Sequence, residues 1–406
     1  MVSDVTPLLT SVIGLLLLGA VLQDAFEVML LPRRVKRRWR LTRYFFNWTW
    51  RLWSLIAGIV PADARRERFL GIYGSLAMTL LFSFWAIALI LAFGLLQWAA
   101  QHWHGAKPAS DLAEQIYLSG VTFFTLGYGD VVPHTPPARI LAVVEAGVGF
   151  GLIAVVIGYL PVLYQLFSRR EAHVLQLDAR AGSPPSPIVL LRRHAESGGL
   201  DKIDDLLRTW EIWGAELLES HLSYPMLAYY RSQHHDQSWL AALAAIMDTC
   251  ALILIGVEEL KQLQARMTFA MARQVVVEMA RSLEVSGRSD APNRFPPEDF
   301  DRMLEAFKEA GLTWNGGEAA PQTLAAVRAT YEPVVQALAE YLLIPLSGWV
   351  AARDTPDHWE RGVRGIIASR LISGLADGSI SEASAAADSK RGGWVRRVRR
   401  RQRPRQ

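Results

Sequence analysis

SDLAEQIYLSGVTFFTLGYGD, residues 110–130, is the stretch on which the fold turns. Its first half reads as a short helix over 110–121: Ser110 or Asp111 can cap it, and Glu114 sits in its first turn. A dozen helical residues rise about 18 Å, well short of a hydrocarbon core of about 30 Å, so this helix cannot cross a bilayer. The second half places Gly127 and Gly129 one residue apart, where the backbone is free to take angles of either hand. Long apolar stretches stand on both sides. Residues 69–98 hold no charge, and residues 140–167 hold one acid, Glu145. A third apolar stretch covers 7–31. Each is longer than the roughly 20 residues that a spanning helix needs. The N-terminal stretch has no Lys or Arg before it and a basic cluster after it, which fits a span better than a signal peptide.

Composition agrees with a membrane protein. Of 406 residues, 51% are hydrophobic and 20% charged. The single cysteine, Cys250, excludes an intrachain disulfide and with it a small bridge-stapled scaffold. The net charge of +4 conceals a segregation: residues 32–69 carry eleven Lys/Arg against two acids, and 390–406 carry nine basic residues and no acid. Such clusters point to a membrane surface or nucleic acid, and the apolar spans favour anionic lipid head groups, at 33–43 and 390–406 with Trp394 at the interface, over nucleic acid. Positive residues also set orientation. RRVKRRWRLTR (33–43), Arg65, Arg66 and Arg68, and Arg169–Arg170 all mark cytoplasmic ends, which puts the N-terminus outside a plasma (inner) membrane. Residues 44–60, with three Trp and a central Arg51, are expected to lie in the interface rather than to span.

Span, short helix, TLGYGD, span: this order resembles the pore module of the potassium channel family over about residues 69–168. A match at five fixed positions arises by chance in roughly one in ten thousand chains of this length. The family's chemistry suits the residues. A permeating ion must lose water, and neutral backbone carbonyls stacked in register offer a substitute shell that does not hold it too tightly. The resemblance implies a filter over Thr125, Leu126, Gly127, Tyr128 and Gly129, with K⁺ held by the carbonyls of the first four and the Thr125 hydroxyl. Leu126 stands where Val or Ile is commoner in the family, but its carbonyl is the same. Tyr128 is expected to brace the filter, Asp130 to hydrogen-bond behind it, and the short helix to aim its partially negative end at the pore axis.

One pore loop per chain implies a homotetramer. Glu145 either supports the filter from behind or makes an ordinary buried hydrogen bond. Gly149 stands twenty residues after Gly129, at the family's gating hinge; the rival reading is close helix packing, because Gly147 and Gly151 form a G-x-x-x-G pair. Pro161 can kink the third span. Asp24 and Glu27 in the first span are expected to snorkel or to pair with Arg33 or Arg34. His102, His104 and His134 near the outer mouth read as solvated loop histidines more readily than as pH sensors.

After ARAGSPPSP (179–187), a turn-rich linker, helical patterns cover 199–222, 236–266, 267–285, 297–310, 323–343 and 357–375. The apolar run 239–256 carries a central Asp248 and reads as a buried helix rather than a further span. His221, His234, His235 and Asp236 match no standard metal spacing. No Gly-rich phosphate turn and no nucleophile–base set occurs there, so no nucleotide, cofactor or enzyme activity is expected, and the regulatory ligand stays open. The expected fold is an all-α membrane protein. Its parts are an N-terminal span (1–31), a basic segment (32–68), the pore module (69–168), an all-α cytoplasmic domain (169–390) and a basic tail (391–406). The expected function is passive, potassium-selective conduction, with a nonselective cation pore or a weakly conducting sensor as alternatives.

Overall fold

A computed structural model of the chain describes residues 2–31, 41–61, 64–103, 111–232, 236–286 and 293–350. The basic run 33–40, His104, Ser110, His234, His235, the expected helix 357–375 and the basic tail with Trp394 lie outside them. Helices are the only regular elements among the described residues, with no strand; the one β-type pairing among them is an isolated bridge between Val257 and Trp314. This is an all-α membrane protein. Three helices are long and apolar enough to cross a membrane: α1 (Val2–Met29), α3 (Ala64–Trp103) and α5 (Pro136–Ala181). Between them stand α2 (Leu41–Ile59) and α4 (Leu112–Phe123).

Helix α1 runs antiparallel to α3. Gly14 lies against Ala92 and Leu96, where a Cβ would come within 3.1 Å of the Ala92 carbonyl oxygen, and ten residues later Asp24 meets Trp85. Val21, Ala25 and Val28 are buried on the same side, while the opposite face of α1 is exposed apolar surface, including Leu8, Val12, Leu16 and Phe26. Asp24 is buried and its carboxylate accepts from the Thr42 amide (3.1 Å), the Thr42 hydroxyl (2.5 Å) and the Trp85 indole (3.0 Å). It therefore caps the first turn of α2 from another helix, satisfying N–H groups that have no partner within α2. This corrects the snorkelling expectation for Asp24: a carboxylate in a span is tolerable here because three donors converge on it. Glu27 accepts from Gln23 one turn earlier (3.1 Å).

Helix α2 has two apolar faces. Phe46, Trp50 and Ala57 are buried, while Tyr44, Trp48, Leu52, Leu55 and Ile59 form an exposed stripe at helical spacing. Helix α5 is 46 residues long, about 69 Å, and passes unbroken through Pro161 and through the expected boundary at 168. The expected pore module (69–168) and the C-terminal region therefore share one continuous helix.

The C-terminal region comprises α6 (Pro187–Glu196), α7 (Ile203–Ser223), α8 (Trp239–Ile255), α9 (Gln262–Leu283), α10 (Glu298–Glu309), α11 (Ala320–Ala329) and α12 (Glu332–Leu342). Helix α6 falls where the sequence reading placed no helix; its signal is Ser186 as cap with Pro187 in the first turn. The expected helix 236–266 breaks at Gly256, which packs on the Trp314 ring where a Cβ would meet it at 2.7 Å. The expected helix 323–343 breaks near Thr330, because Pro333 lacks the N–H that an unbroken helix needs. Helix α8 is the core of this region, with every residue from Trp239 to Ile253 buried. Asp248 at its centre receives both Arg294 Nη atoms (2.9 and 3.2 Å) and the Tyr331 hydroxyl (2.6 Å), and Arg294 also reaches Glu332 (2.6 Å). Burial opposes the Arg294 charge, but the Asp248 and Glu332 carboxylates more than offset that and hold its pKa above the usual arginine value. A paired charge of this kind explains how an acid sits inside an apolar helix without marking a span.

Candidate functional site

The short helix forms as its sequence dictates. Asp111 is its N-cap: its carboxylate accepts from the Leu112 amide (2.7 Å), and Glu114 reaches back to the Asp111 amide (3.4 Å) to close a capping box. At the other end the chain folds back beneath α4. The amides of Leu126 and Gly127 both donate to the Val121 carbonyl, at 2.7 and 3.3 Å. From there the backbone alternates in hand: φ is +57° at Thr125, +58° at Gly127 and +79° at Gly129. Peptides that alternate in this way turn successive carbonyls toward one side, the geometry a dehydrated cation needs. The two glycines take these angles without a Cβ clash. Thr125 does not have that freedom, and its left-handed angle is a strained conformation that sequence reading did not foresee.

Asp130 closes the far end of this segment. One carboxylate oxygen accepts from the Val131 amide (3.0 Å) and the other from the Tyr117 hydroxyl (2.8 Å), which ties the residue after TLGYG to the helix before it. Leu126 and Tyr128 are exposed on this chain. Thr135 then caps α5, with Pro136 and Pro137 in the first turn. His134 is exposed, and His102 stacks on Trp98 at 4.0 Å with its Nδ1 against the Trp98 carbonyl (2.9 Å).

Behind α4 lies a polar seam in an apolar setting. Glu145 on α5 is fully buried against Ser119 of α4. The Ser119 hydroxyl also reaches the Ile90 carbonyl of α3 (2.8 Å), so it can donate to either oxygen. Further out, Gln101 donates to Gln115 (2.5 Å). One turn below Glu145, Gly149 meets the end of α4: a Cβ there would stand 2.2 Å from the Phe123 carbonyl oxygen. Gly147 and Gly151 have nothing within 4 Å of the corresponding position, so within this chain the close approach belongs to Gly149 and not to the G-x-x-x-G pair. The Ser119–Glu145 and Gly149–Phe123 contacts are one helical turn apart on both helices. Their only sequence signal is that spacing, 119 to 123 and 145 to 149. Ile140, Val143, Phe150 and Ile157 form an exposed apolar face of α5. His221, the one described histidine of the suggested metal set, is buried beside Arg170, and no cluster among the described residues could hold a metal ion.

Residues 77–165 match the model of a family described as "Ion channel". This segment is an ion-channel module. The match covers most of α3, all of α4 and the TLGYGD segment, and α5 to just past Pro161. The chain is also similar to the uncharacterized membrane protein YdjJ of Bacillus subtilis (strain 168), at 25% identity over 189 residues. That alignment covers 42% of this chain and 54% of the relative, so the chain spans about half the length of the curated relative it matches. No solved structure matches it significantly.

Proposed function

We propose that this chain is one subunit of a potassium-selective channel, a homotetramer that conducts passively through a filter at Thr125–Gly129. The observation that carries the reading is the alternating backbone of TLGYG, set between a capped helix too short to span and a long apolar helix. Carbonyls of Thr125, Leu126, Gly127 and Tyr128 would replace the water of K⁺, with the negative end of α4 favouring a cation beside them. Asp130 and Glu145 hold the filter strand and α4 in place, and Gly149 lets α5 approach close enough to do so while serving as the point where α5 can bend. The exposed apolar face of α5 and the exposed Leu126 and Tyr128 are where neighbouring subunits fit. The N-terminus lies outside, the C-terminal helical region lies in the cytoplasm of a cell with a plasma (inner) membrane, and the exposed stripe of α2 rests in the cytoplasmic interface. Basic residues at 33–43 and 390–406 meet anionic head groups. The C-terminal region regulates the pore.

Purified protein in liposomes tests this. Wild type is expected to release K⁺ down its gradient, and Gly127→Asp to abolish release while keeping the same assembled mass. Equal release in wild type and variant would place the pathway elsewhere.

A further inference from the structure

The segment Tyr224–Arg231, YPMLAYYR, does more than connect α7 to α8. Its 3-10 turn, Pro225–Tyr229, and the two residues after it are gripped by four separate elements. On one side is α5. Arg170, four per cent exposed, donates to the carbonyls of Leu227 and Tyr230, both at 2.8 Å, and lies 5.2 Å over the Phe167 ring. The Tyr159 hydroxyl reaches the Met226 sulfur (3.3 Å), and the Tyr159 and Phe167 rings stand 5.3 and 5.6 Å from Tyr224 and Tyr230. On the other side are α2 and α3. The Tyr229 ring stacks on Phe46 (5.8 Å) and meets Trp50 (5.0 Å) and Tyr73 (5.4 Å). Tyr230 fills the notch at Gly74, where a Cβ would meet its ring at 2.8 Å. The fourth element is α12. Arg231 donates to the carbonyls of Leu342 and Leu343 at the end of that helix, and the Tyr229 and Tyr341 hydroxyls are 3.0 Å apart.

Two buried arginines thus act in series. Arg231 caps the carbonyl end of α12, and Arg170 caps the carbonyl end of the turn that carries Arg231. Plain adhesion between two apolar surfaces would not require either charge, and apolar residues of similar size would usually be cheaper there. Two desolvated guanidinium groups with directed donors instead fix distances from α12 to the turn and from the turn to α5. Helix α8 also packs on both α12 and α5; the turn differs in having an arginine donate across each of its two joints. We propose that Tyr224–Arg231 is the linkage through which the C-terminal helical region sets the position of α5, with Arg170 and Arg231 as its positioning residues. This rests on the reading of α5 as the pore-lining helix.

Hydrogen exchange and K⁺ flux on the full-length protein separate the two claims. Arg231→Met touches α12, the turn and, through the Glu67 carboxylate (3.8 Å), α3, but makes no contact with α5. It is expected to raise amide exchange about tenfold in 165–176 of α5 as well as in 225–231, and to change K⁺ flux in liposomes. Arg170→Met should do the same, with Arg170→Lys and Arg231→Lys intermediate because they keep the charge and lose the fork. Either lysine variant reads the linkage if the methionine variant fails to fold. If Arg231→Met loosens only α12 and the turn, leaving exchange in α5 and flux as in wild type, the segment is local packing and the proposal is overturned. Wild-type protein without flux would sink the channel reading alone, and exchange in α5 would still decide the linkage.

Discussion

Thr125 holds a φ of +57°, an angle that costs an L-residue with a Cβ roughly 1–2 kcal/mol. Its place at the start of the TLGYG segment accounts for that cost: the angle starts the alternation that Gly127 and Gly129 continue. Gly149 is constrained in another way, by proximity. Gly149→Ala would drive a methyl group into the Phe123 carbonyl, so α4 must shift from α5. We expect a loss of about 1–3 kcal/mol, read as a lower unfolding temperature in detergent, together with reduced K⁺ flux. Gly147→Ala, with open space at that position, should leave the unfolding of the isolated chain nearly unchanged. His221 sets a pH dependence. Burial, then the neighbouring Arg170 charge, pushes its pKa down to about 3 from 6.5, and its Nδ1 donates to the Leu217 carbonyl (2.8 Å). Below about pH 6.5 the unfolded chain takes up a proton that the folded chain cannot, so stability falls as pH falls from there toward 3, by at most about 1.4 kcal/mol per unit. His221→Gln should flatten the slope of unfolding temperature against pH between 6 and 4. An unchanged slope would assign acid sensitivity to other groups. The freedom of Gly127 and Gly129 to take left-handed angles could be read from sequence because it is local. The Glu145–Ser119 and Gly149–Phe123 contacts could not, since 26 residues separate each pair.

Among the elements, α2 shows how far local pattern carries. Its Trp content and central Arg51 distinguish it from a span, and the described helix is absent from the three that are long and apolar enough to cross. What holds its start is Asp24, 18 residues earlier, together with Trp85 on a third helix. No sequence spacing encodes that meeting. Asp24→Ala would leave the Thr42 amide and the Trp85 indole without their acceptor, at a cost of about 1–3 kcal/mol. Thermal unfolding should register the loss, with increased amide exchange confined first to residues 41–45. Exchange unchanged in that turn would mean that water or another group replaces the carboxylate. The breaks at Gly256 and near Pro333 followed the same division: proline could have been read directly, whereas Gly256 breaks its helix against Trp314, 58 residues away.

At the scale of the molecule, the match to an ion-channel family covers 77–165, and α5 carries that module without interruption into the C-terminal helices. The all-α character of that region was legible from its periodicity, and the burial of α8 from Asp248 at its centre. Its arrangement was not, because Arg294 and Tyr331 reach Asp248 from 46 and 83 residues away. The central claim concerns the ion. Protein in a planar bilayer, with K⁺ as the cation on one side and Na⁺ on the other, gives a reversal potential that reads selectivity without regard to how often the pore opens. The account predicts a potential displaced toward the K⁺ equilibrium by more than about 59 mV, the value for tenfold preference of one monovalent ion. A current that reverses near zero would contradict it, leaving a cation pathway without the selectivity assigned to Thr125–Gly129.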